Sequence, residues 1–363
     1  MRSFADLDRT LGGQPPRLGV ALSRLDVGRG REALYRDQIP ELLRALATEI
    51  RIASITASSA IEGVTVAPGR LEGLVHGGAE HRFRNRNERE FAGYRDAIDE
   101  IMRVPEPEAV TLPFVLHLHR QLFRYVDGGG GQLKADENLI VSFEHGHREV
   151  LFTPPSPAQT EFLLRGLIDG FDEATAAEAA HPVLLVAAFI LDFLAIHPVA
   201  DGNGRLARLL TAHLLLRAGY GVSRYVSVEQ RMFDTKYAYY AALQESQRRW
   251  HEGEHSIWPW ATYLVATLAD AYDAFEDRVN ARRNLAGLSK QERVREYVLH
   301  HAPGVFRVRD IRAALPGVSD QTIRLVLVQM RATGAIATVD ETGGPNAAWR
   351  RAVTAPASVQ RTS

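Results

Sequence analysis

The stretch Val183 to Ile196 is apolar at every position except Asp192, and the next residues are His197 and Pro198. A run of that length reads as a buried helix, and a residue before proline is pushed out of the helical region, so His197 is expected at a helix exit. Beyond it, Leu206, Leu209, Leu210 and Leu214 recur at helical spacing. Gly202-Asn203-Gly204 is therefore a loop that opens directly into the N-terminus of a second helix, the usual outline of an anion site.

The residue types narrow the chemistry. Glycines on either side of Asn203 allow positive φ and leave backbone N–H groups bare for a phosphate. Arg205 and Arg208 share a helix face, and two cations in a first turn oppose the helix dipole, so something negative is expected between them. Asp201 would repel a polyphosphate unless a hard divalent cation bridges the two, and Mg²⁺ held by one carboxylate plus phosphate oxygens is the common solution. A neutral imidazole at the mouth of such a site, His197, can take a proton from an attacking hydroxyl. An EF-hand reading from Asp201 fails because Leu206 and Ala212 stand where Gly and Glu are required, and no Walker-type phosphate loop occurs.

These residues carry a resemblance. His197-Pro198-Val199-Ala200-Asp201-Gly202-Asn203-Gly204-Arg205-Leu206-Ala207-Arg208 closely resembles the Fic motif His-x-Phe-x-Asp/Glu-Gly-Asn-Gly-Arg-x-x-Arg, with Val199 in place of the usual Phe. The resemblance implies a protein adenylyltransferase that moves AMP from ATP to a Ser, Thr or Tyr hydroxyl of a target protein. In it His197 is the general base, Asp201 the Mg²⁺ ligand, and Gly202, Asn203 and Gly204 bind phosphate, with Arg205 and Arg208 on the outer phosphates. Gly202 points to AMP transfer, since the kinase-like Doc relatives carry Lys there. Upstream, Ser58-Ser59-Ala60-Ile61-Glu62-Gly63 is by itself a polar helix end with a C-cap glycine. It also resembles the family's Ser/Thr-x-x-x-Glu-Gly/Asn inhibitory motif, which implies that Ser58, Glu62 and Gly63 form a block in which Glu62 pairs with Arg208.

The chain has 363 residues, 45% hydrophobic, with 43 basic against 44 acidic side chains and no cysteine. This balance gives no whole-chain bias to nucleic acid or membrane, and disulfide, thiol and Cys-zinc chemistry are excluded. Met1 to Gly30 lacks the apolar core of a signal peptide and no run is long enough to span a bilayer, so a cytoplasmic protein is expected.

In chain order, residues 1–35 are rich in Gly, Pro and Arg and are expected as a loosely ordered arm, followed by a helix from Pro40 to about Ile61. Residues 64–85 are expected as loop and short helix. Helices follow at about 88–102, 112–123, 158–171 and 182–196, then the motif helix to Leu216. His117 and His119 face different sides of one helix and cannot chelate a single metal. Leu139-Ile140-Val141 and Val150-Leu151-Phe152 around Gly146 read as a β-hairpin. Such a hairpin can capture an extended target segment at a free edge, and the family resemblance puts an active-site flap at 138–153. Tyr237, Tyr239 and Tyr240 lie in a helical stretch near 233–248, and a last long helix runs over 257–279.

Residues 280–288 read as a linker. The remainder, 288–352, resembles a winged helix-turn-helix domain with a hairpin around Gly343-Gly344. From Leu288 to Ala352 ten Lys or Arg face six Asp or Glu, a local net of +4. Base-reading residues on its candidate recognition helix are chiefly Gln321, Arg324 and Gln329, so DNA contact and protein docking are both open. The expectation is thus a mainly α protein: an N-terminal arm and helices with the inhibitory motif (1–110), a Fic-type helical core with a β-hairpin flap (111–280), and a small C-terminal winged helix-turn-helix domain. ATP and Mg²⁺ are the ligands implied, a protein hydroxyl the acceptor, and a homodimer is left open. The alternatives are removal of AMP with Glu62 orienting water, or a DNA-binding regulator that uses the Fic-like half as a nucleotide sensor.

Overall fold

The protein is seen in a computed structural model that describes residues 2–76, 83–144, 147–285, 288–339 and 347–351. The chain divides into two compact units, Met1–Phe275 and Glu276–Ser363. The helices carrying Ser58 and Glu62 lie in the same unit as the motif.

The first unit is helical: α1 (Leu7–Leu11), α2 (Pro16–Gln38), α3 (Pro40–Ile61), α4 (Pro68–His76), α5 (Arg86–Arg103) and α6 (Leu112–Leu122) precede a hairpin, β1 (Ile140–Glu144) and β2 (His147–Phe152). Then come α7 (Pro157–Ala176), α8 (Pro182–Ile196), α9 (Asn203–Arg217), α10 (Val228–Asp234), α11 (Lys236–Gln247) and α12 (Trp258–Leu285), the last crossing into the second unit. Proline stands in the first turn of α2, α3, α7 and α8, where its missing N–H costs nothing.

Every residue from Val183 to Ile196 is buried, and α8 packs against α7, α9 and α11 as the centre of the core. Its one charge, Asp192, is fully buried and accepts hydrogen bonds from Ser3 N and Ser3 Oγ at 2.8 Å, Arg2 N at 3.1 Å and Trp250 Nε1 at 2.7 Å. A buried carboxylate needs such donors, and here they tie the N-terminus to the core.

The expectation of a loose arm over residues 1–35 is therefore corrected. Gly12 to Pro16 is the break, but after it α2 runs for 23 residues with Leu18, Leu22, Leu25 and Tyr35 buried on one side. Gly19, Gly28 and Gly30 lower helix propensity, and tertiary burial of that stripe overrides them. The linker expected at 280–288 is likewise helical as far as Leu285. The helical stretch expected near 233–248 is α11, which begins at Lys236, and a separate short helix, α10, precedes it and ends before Thr235.

β1 and β2 pair antiparallel with Ile140 opposite Phe152 and an irregularity between Ile140 and Val141. A lone hairpin is unstable. Phe152 stacks on His251 at 5.1 Å and meets Trp250 edge-on at 6.3 Å, and β2 packs on α11, so that strand is held. The turn at Gly146 lies outside the described residues, as do His81, Arg82, Gly343, Gly344 and Ala352.

The second unit has α13 (Lys290–His300), β3 (Val305–Phe306), α14 (Val308–Ala314), α15 (Asp320–Ala332), β4 (Ile336–Thr338) and β5 (Trp349–Arg351), the strands ordered β3-β5-β4 and antiparallel. Val298, Phe306, Ile311, Ile323, Leu327 and Trp349 belong to its core. The two-residue β3 was not expected because it is too short for a periodic signal. Gln329, expected to face a partner, instead accepts a hydrogen bond from Arg295, while Leu325 and Val328 on the same helix are exposed by 48% and 62%. Among the described residues no helix is long and apolar enough to cross a membrane.

Candidate active site

At the exit of α8, His197 adopts the left-handed conformation (φ 51°, ψ 61°), strained for a residue with a Cβ by about 1 kcal/mol or more. The chain around it is gripped carbonyl by carbonyl. Lys134 Nζ donates to Ile196 O at 3.1 Å, and Lys134 N donates to Pro198 O at 2.9 Å. Asn138 Nδ2 reaches His197 O at 3.2 Å and Val199 O at 3.0 Å, and its Oδ1 accepts from Lys134 Nζ at 2.9 Å. His119, buried, accepts from Gly131 N at Nδ1 (2.9 Å), so its Nε2–H donates to Asp201 O at 3.2 Å. Val199 is fully buried, filling the apolar position that its residue type promised.

His197 Nδ1 lies 3.2 Å from Leu194 O, an acceptor only, so Nδ1 carries the proton and Nε2 keeps its lone pair. Burial lowers the ring's pKa to about 4, and the Lys134 ammonium pushes it the same way. The imidazole is neutral at pH 7, as a base must be. Lys134 is itself lowered to about 8 by burial.

Gly202 begins α9 at φ 87°, and a Cβ there would meet Phe123 at 2.9 Å, so both conformation and space demand glycine. The Asn203 side chain accepts from Val199 N at 3.1 Å and donates to Val199 O at 2.7 Å, so its amide helps to hold the loop.

The negative charge expected between the arginines is supplied by the protein itself. Arg208, 3% exposed, donates through Nε to Ser58 Oγ (2.8 Å), through Nη2 to Ser58 O (2.9 Å) and through Nη1 to Glu62 Oε1 (2.8 Å). Glu62 Oε1 lies 2.1 Å from where a Cβ on Gly204 would stand, so the carboxylate rests on the bare backbone of the first turn of α9. Gly63, at φ 77°, turns the chain away after α3. Arg205, expected to hold phosphate, is 2% exposed, lies over Phe123 at 5.2 Å and donates through Nη1 to Glu90 Oε2 at 2.6 Å. Arg86 donates to both Glu90 and, at 3.1 Å, Asp201 Oδ2, so the Asp201 carboxylate is also engaged.

Four of these residues, Lys134, Asn138, Glu90 and Arg86, were invisible as site residues in the sequence, where each is one charged or polar residue among many. Asn138→Ala removes two donors to the His197 loop, each contributing about 0.5 to 1.5 kcal/mol. The expected outcome is a several-fold lower kcat with KM for ATP little changed, together with a lower melting temperature. Steady-state kinetics and a thermal melt check it.

The model of the Fic/DOC family matches residues 109–215. That segment is similar to the Fic/DOC family domain. It spans His197 to Arg208 and leaves Ser58 and Glu62 outside the match. The protein adenylyltransferase Fic of Culex quinquefasciatus is 33% identical over 118 residues, covering 32% of this chain and 22% of that protein. The corresponding protein of Drosophila willistoni is 33% identical over 112 residues, covering 31% and 20%. The match thus spans about a fifth of the length of these curated relatives. A Fic family protein from Desulfovibrio desulfuricans has a similar structure, with a TM-score of 0.59, 21% identity, and coverage of 94% of this chain and 97% of that one. A Fic-domain signalling protein from Bacteroides thetaiotaomicron gives 0.58 at 20% identity, over 70% and 95%. The Fic fold is shared with both.

Proposed function

We propose that this protein transfers AMP from ATP to a Ser, Thr or Tyr hydroxyl of a target protein and is held inactive by Glu62. The observation that carries the reading is the Glu62 carboxylate, 2.8 Å from Arg208 Nη1 and seated against Gly204, where a terminal phosphate would need both the cation and the bare backbone. A carboxylate and a phosphate oxygen compete for the same donors.

In the transfer, the acceptor oxygen attacks the α-phosphorus, the bond from that phosphorus to the oxygen bridging to the β-phosphate breaks, and pyrophosphate leaves. His197 Nε2 takes the hydroxyl proton. The N–H groups of the first turn of α9 and the two arginines supply the positive field for the charge that builds on the departing phosphates. Glu62 must leave Arg208 before a γ-phosphate is seated there. Mg²⁺ would fit Asp201, a single carboxylate 58% exposed, as an ion that takes the rest of its shell from water and phosphate. Bound there, Mg²⁺ would neutralise phosphate charge and act as a Lewis acid. Arg86 must then release Asp201. A free edge of the hairpin is where an extended target segment would add. The C-terminal unit, read as a winged helix-turn-helix, is better suited to docking protein than to reading bases, since Gln329 is engaged by Arg295 and α15 exposes Leu325 and Val328.

Incubation with ATP labelled at the α- or the γ-phosphate tests the reaction. Label retained on protein only from the α-position means AMP transfer, and retention from the γ-position would overturn it. The pH profile of the Glu62→Gly protein checks the base. A base is competent above its pKa, so with His197 lowered to about 4 the acid limb of kcat is expected far below the ordinary histidine value of about 6.5. A limb near 6.5 would show a ring that charges freely.

A further inference from the structure

Behind the inhibitory helix lies a cavity of about 420 Å³ between the C-terminus of α2, one face of α3, the C-terminal half of α5 and the turn at Val222–Arg224. We propose that this cavity binds a small organic anion with an apolar body, and that its occupant loosens the Glu62–Arg208 latch; only this second half rests on the inhibitory reading of Glu62.

The lining states the ligand's chemistry. Leu43, Ile50, Ile55 and Ile98 make the floor, all buried. Arg36, Arg44, Arg51 and Arg224 stand around them; Arg51 Nε engages the lining Asp99 at 2.7 Å and Arg44 Nη1 engages Glu41, outside the lining, at 2.7 Å, which leaves Arg36 and Arg224 in no ion pair among the described residues. The walls thus carry an excess of guanidinium charge over an apolar base. Within them Ser223, 5% exposed, has a hydroxyl with no hydrogen-bond partner among the described residues, and Arg224, whose Nη2 donates to Val104 O at 2.9 Å, has a buried Nε that finds none among them. Buried polar groups normally find partners. A carboxylate or phosphate head would supply acceptors to both while its apolar portion covers the floor, and the volume lies within the range of small-molecule sites.

The cavity is joined to the active site by two rigid elements. Ser54 lines it, and Ser54, Ser58 and Glu62 follow at intervals of four on one stripe of α3. By helix rise, Glu62 is about 12 Å along the axis from Ser54. On the other wall, Ile98, Asp99 and Met102 belong to α5, whose first turns carry Arg86 and Glu90. Direction follows from the latch geometry. All three Arg208 donor atoms are satisfied at 2.8 to 2.9 Å. A displacement of α3 can weaken this arrangement but scarcely improve it, so an occupant that pushes α3 favours ATP, and by reciprocity ATP favours the occupant.

Isothermal titration of the full chain with octanoate, 1-naphthoate and 1-octanol tests the site, the two acids separating aliphatic from aromatic bodies. At least one acid should bind saturably with a submillimolar Kd, with octanol at least ten-fold weaker. Ala47→Trp and Met102→Trp fill the cavity from opposite walls, and whichever folds, by circular dichroism, should lose that binding. Failure of both acids to saturate, or undiminished binding in a folded filled variant, overturns the site. The coupling is read as ATP affinity: the bound acid should tighten it three-fold or more in the wild type and leave Glu62→Gly unchanged. Binding of the acid with no shift in wild-type ATP affinity refutes the coupling alone. Wild-type ATP affinity in Glu62→Gly without any acid refutes the inhibitory reading of Glu62 and with it the coupling, while the binding site is judged on the titration.

Discussion

Glu62→Gly is expected to raise AMP transfer by roughly ten-fold or more. The change removes the acceptor at 2.8 Å from Arg208 Nη1 and clears the space over Gly204, while Ser58 still orients the guanidinium through Nε and Nη2. A charge-assisted hydrogen bond contributes about 1.5 to 3 kcal/mol, and about 1.4 kcal/mol is a factor of ten. Glu62 is 30% exposed, so solvent screening places its contribution at the lower end of that range. Glu62→Gln should give a smaller rise, because the amide keeps one hydrogen bond to Arg208 but loses the charge. Adding Arg208→Ala to Glu62→Gly should cancel most of the gain, since both act through one pair. Transfer of α-labelled phosphate to an acceptor protein measures all four proteins. A Glu62→Gly rate at the wild-type level would reduce the glutamate to the helix end that it is by local sequence. If instead the wild type strips AMP from a modified protein and Glu62→Gly cannot, Glu62 serves the reverse reaction.

His197→Ala is expected to abolish transfer, by a factor of about 10² to 10⁴, with ATP affinity within about three-fold of wild type. A base acts in the transition state, and His197 contributes no bond to the backbone cradle of Gly202 and Gly204. The mutant should remain folded, since the carbonyls of Ile196 to Val199 are held by Lys134, Asn138 and Asn203 and not by the imidazole. Alanine keeps a Cβ, so the strain at φ 51° is unchanged. The experiment is best done in the Glu62→Gly background, where the rate is high enough for a thousand-fold loss to be measured. Retention of most transfer would remove His197 from the mechanism.

A contiguous site is the part of a protein that its sequence displays best. From Val183 to Arg208 the order of apolar run, proline, glycines and cations dictates a buried helix, its exit at His197 and a loop into a helix N-terminus, because each step is enforced by chemistry within a few residues, while the left-handed form of that exit is seen only in the structure. The glycines at 202 and 204 behave in the same way, since positive φ and close approach are local demands. Glu62 could be singled out only through resemblance, its own surroundings being an ordinary helix end. Even the prediction that negative charge must lie between Arg205 and Arg208 followed from the helix dipole alone.

Which groups supply that charge was decided only by the tertiary structure. Glu90 reaches Arg205 across 115 residues of sequence and Glu62 reaches Arg208 across 146. The partnership of Lys134 and Asn138 with the His197 loop, and the use of Asn203 within that loop, likewise depend on how helices pack. The same limit hid α2, whose glycines argue against a helix while its buried leucines, spaced to meet the core, require one. Propensity is a sum of small local terms, whereas burial against a distant element is larger and has no signature near the residue concerned. The sequence alone therefore determined the chemistry that the motif can perform, and packing alone determined that its two arginines and its acid are already occupied.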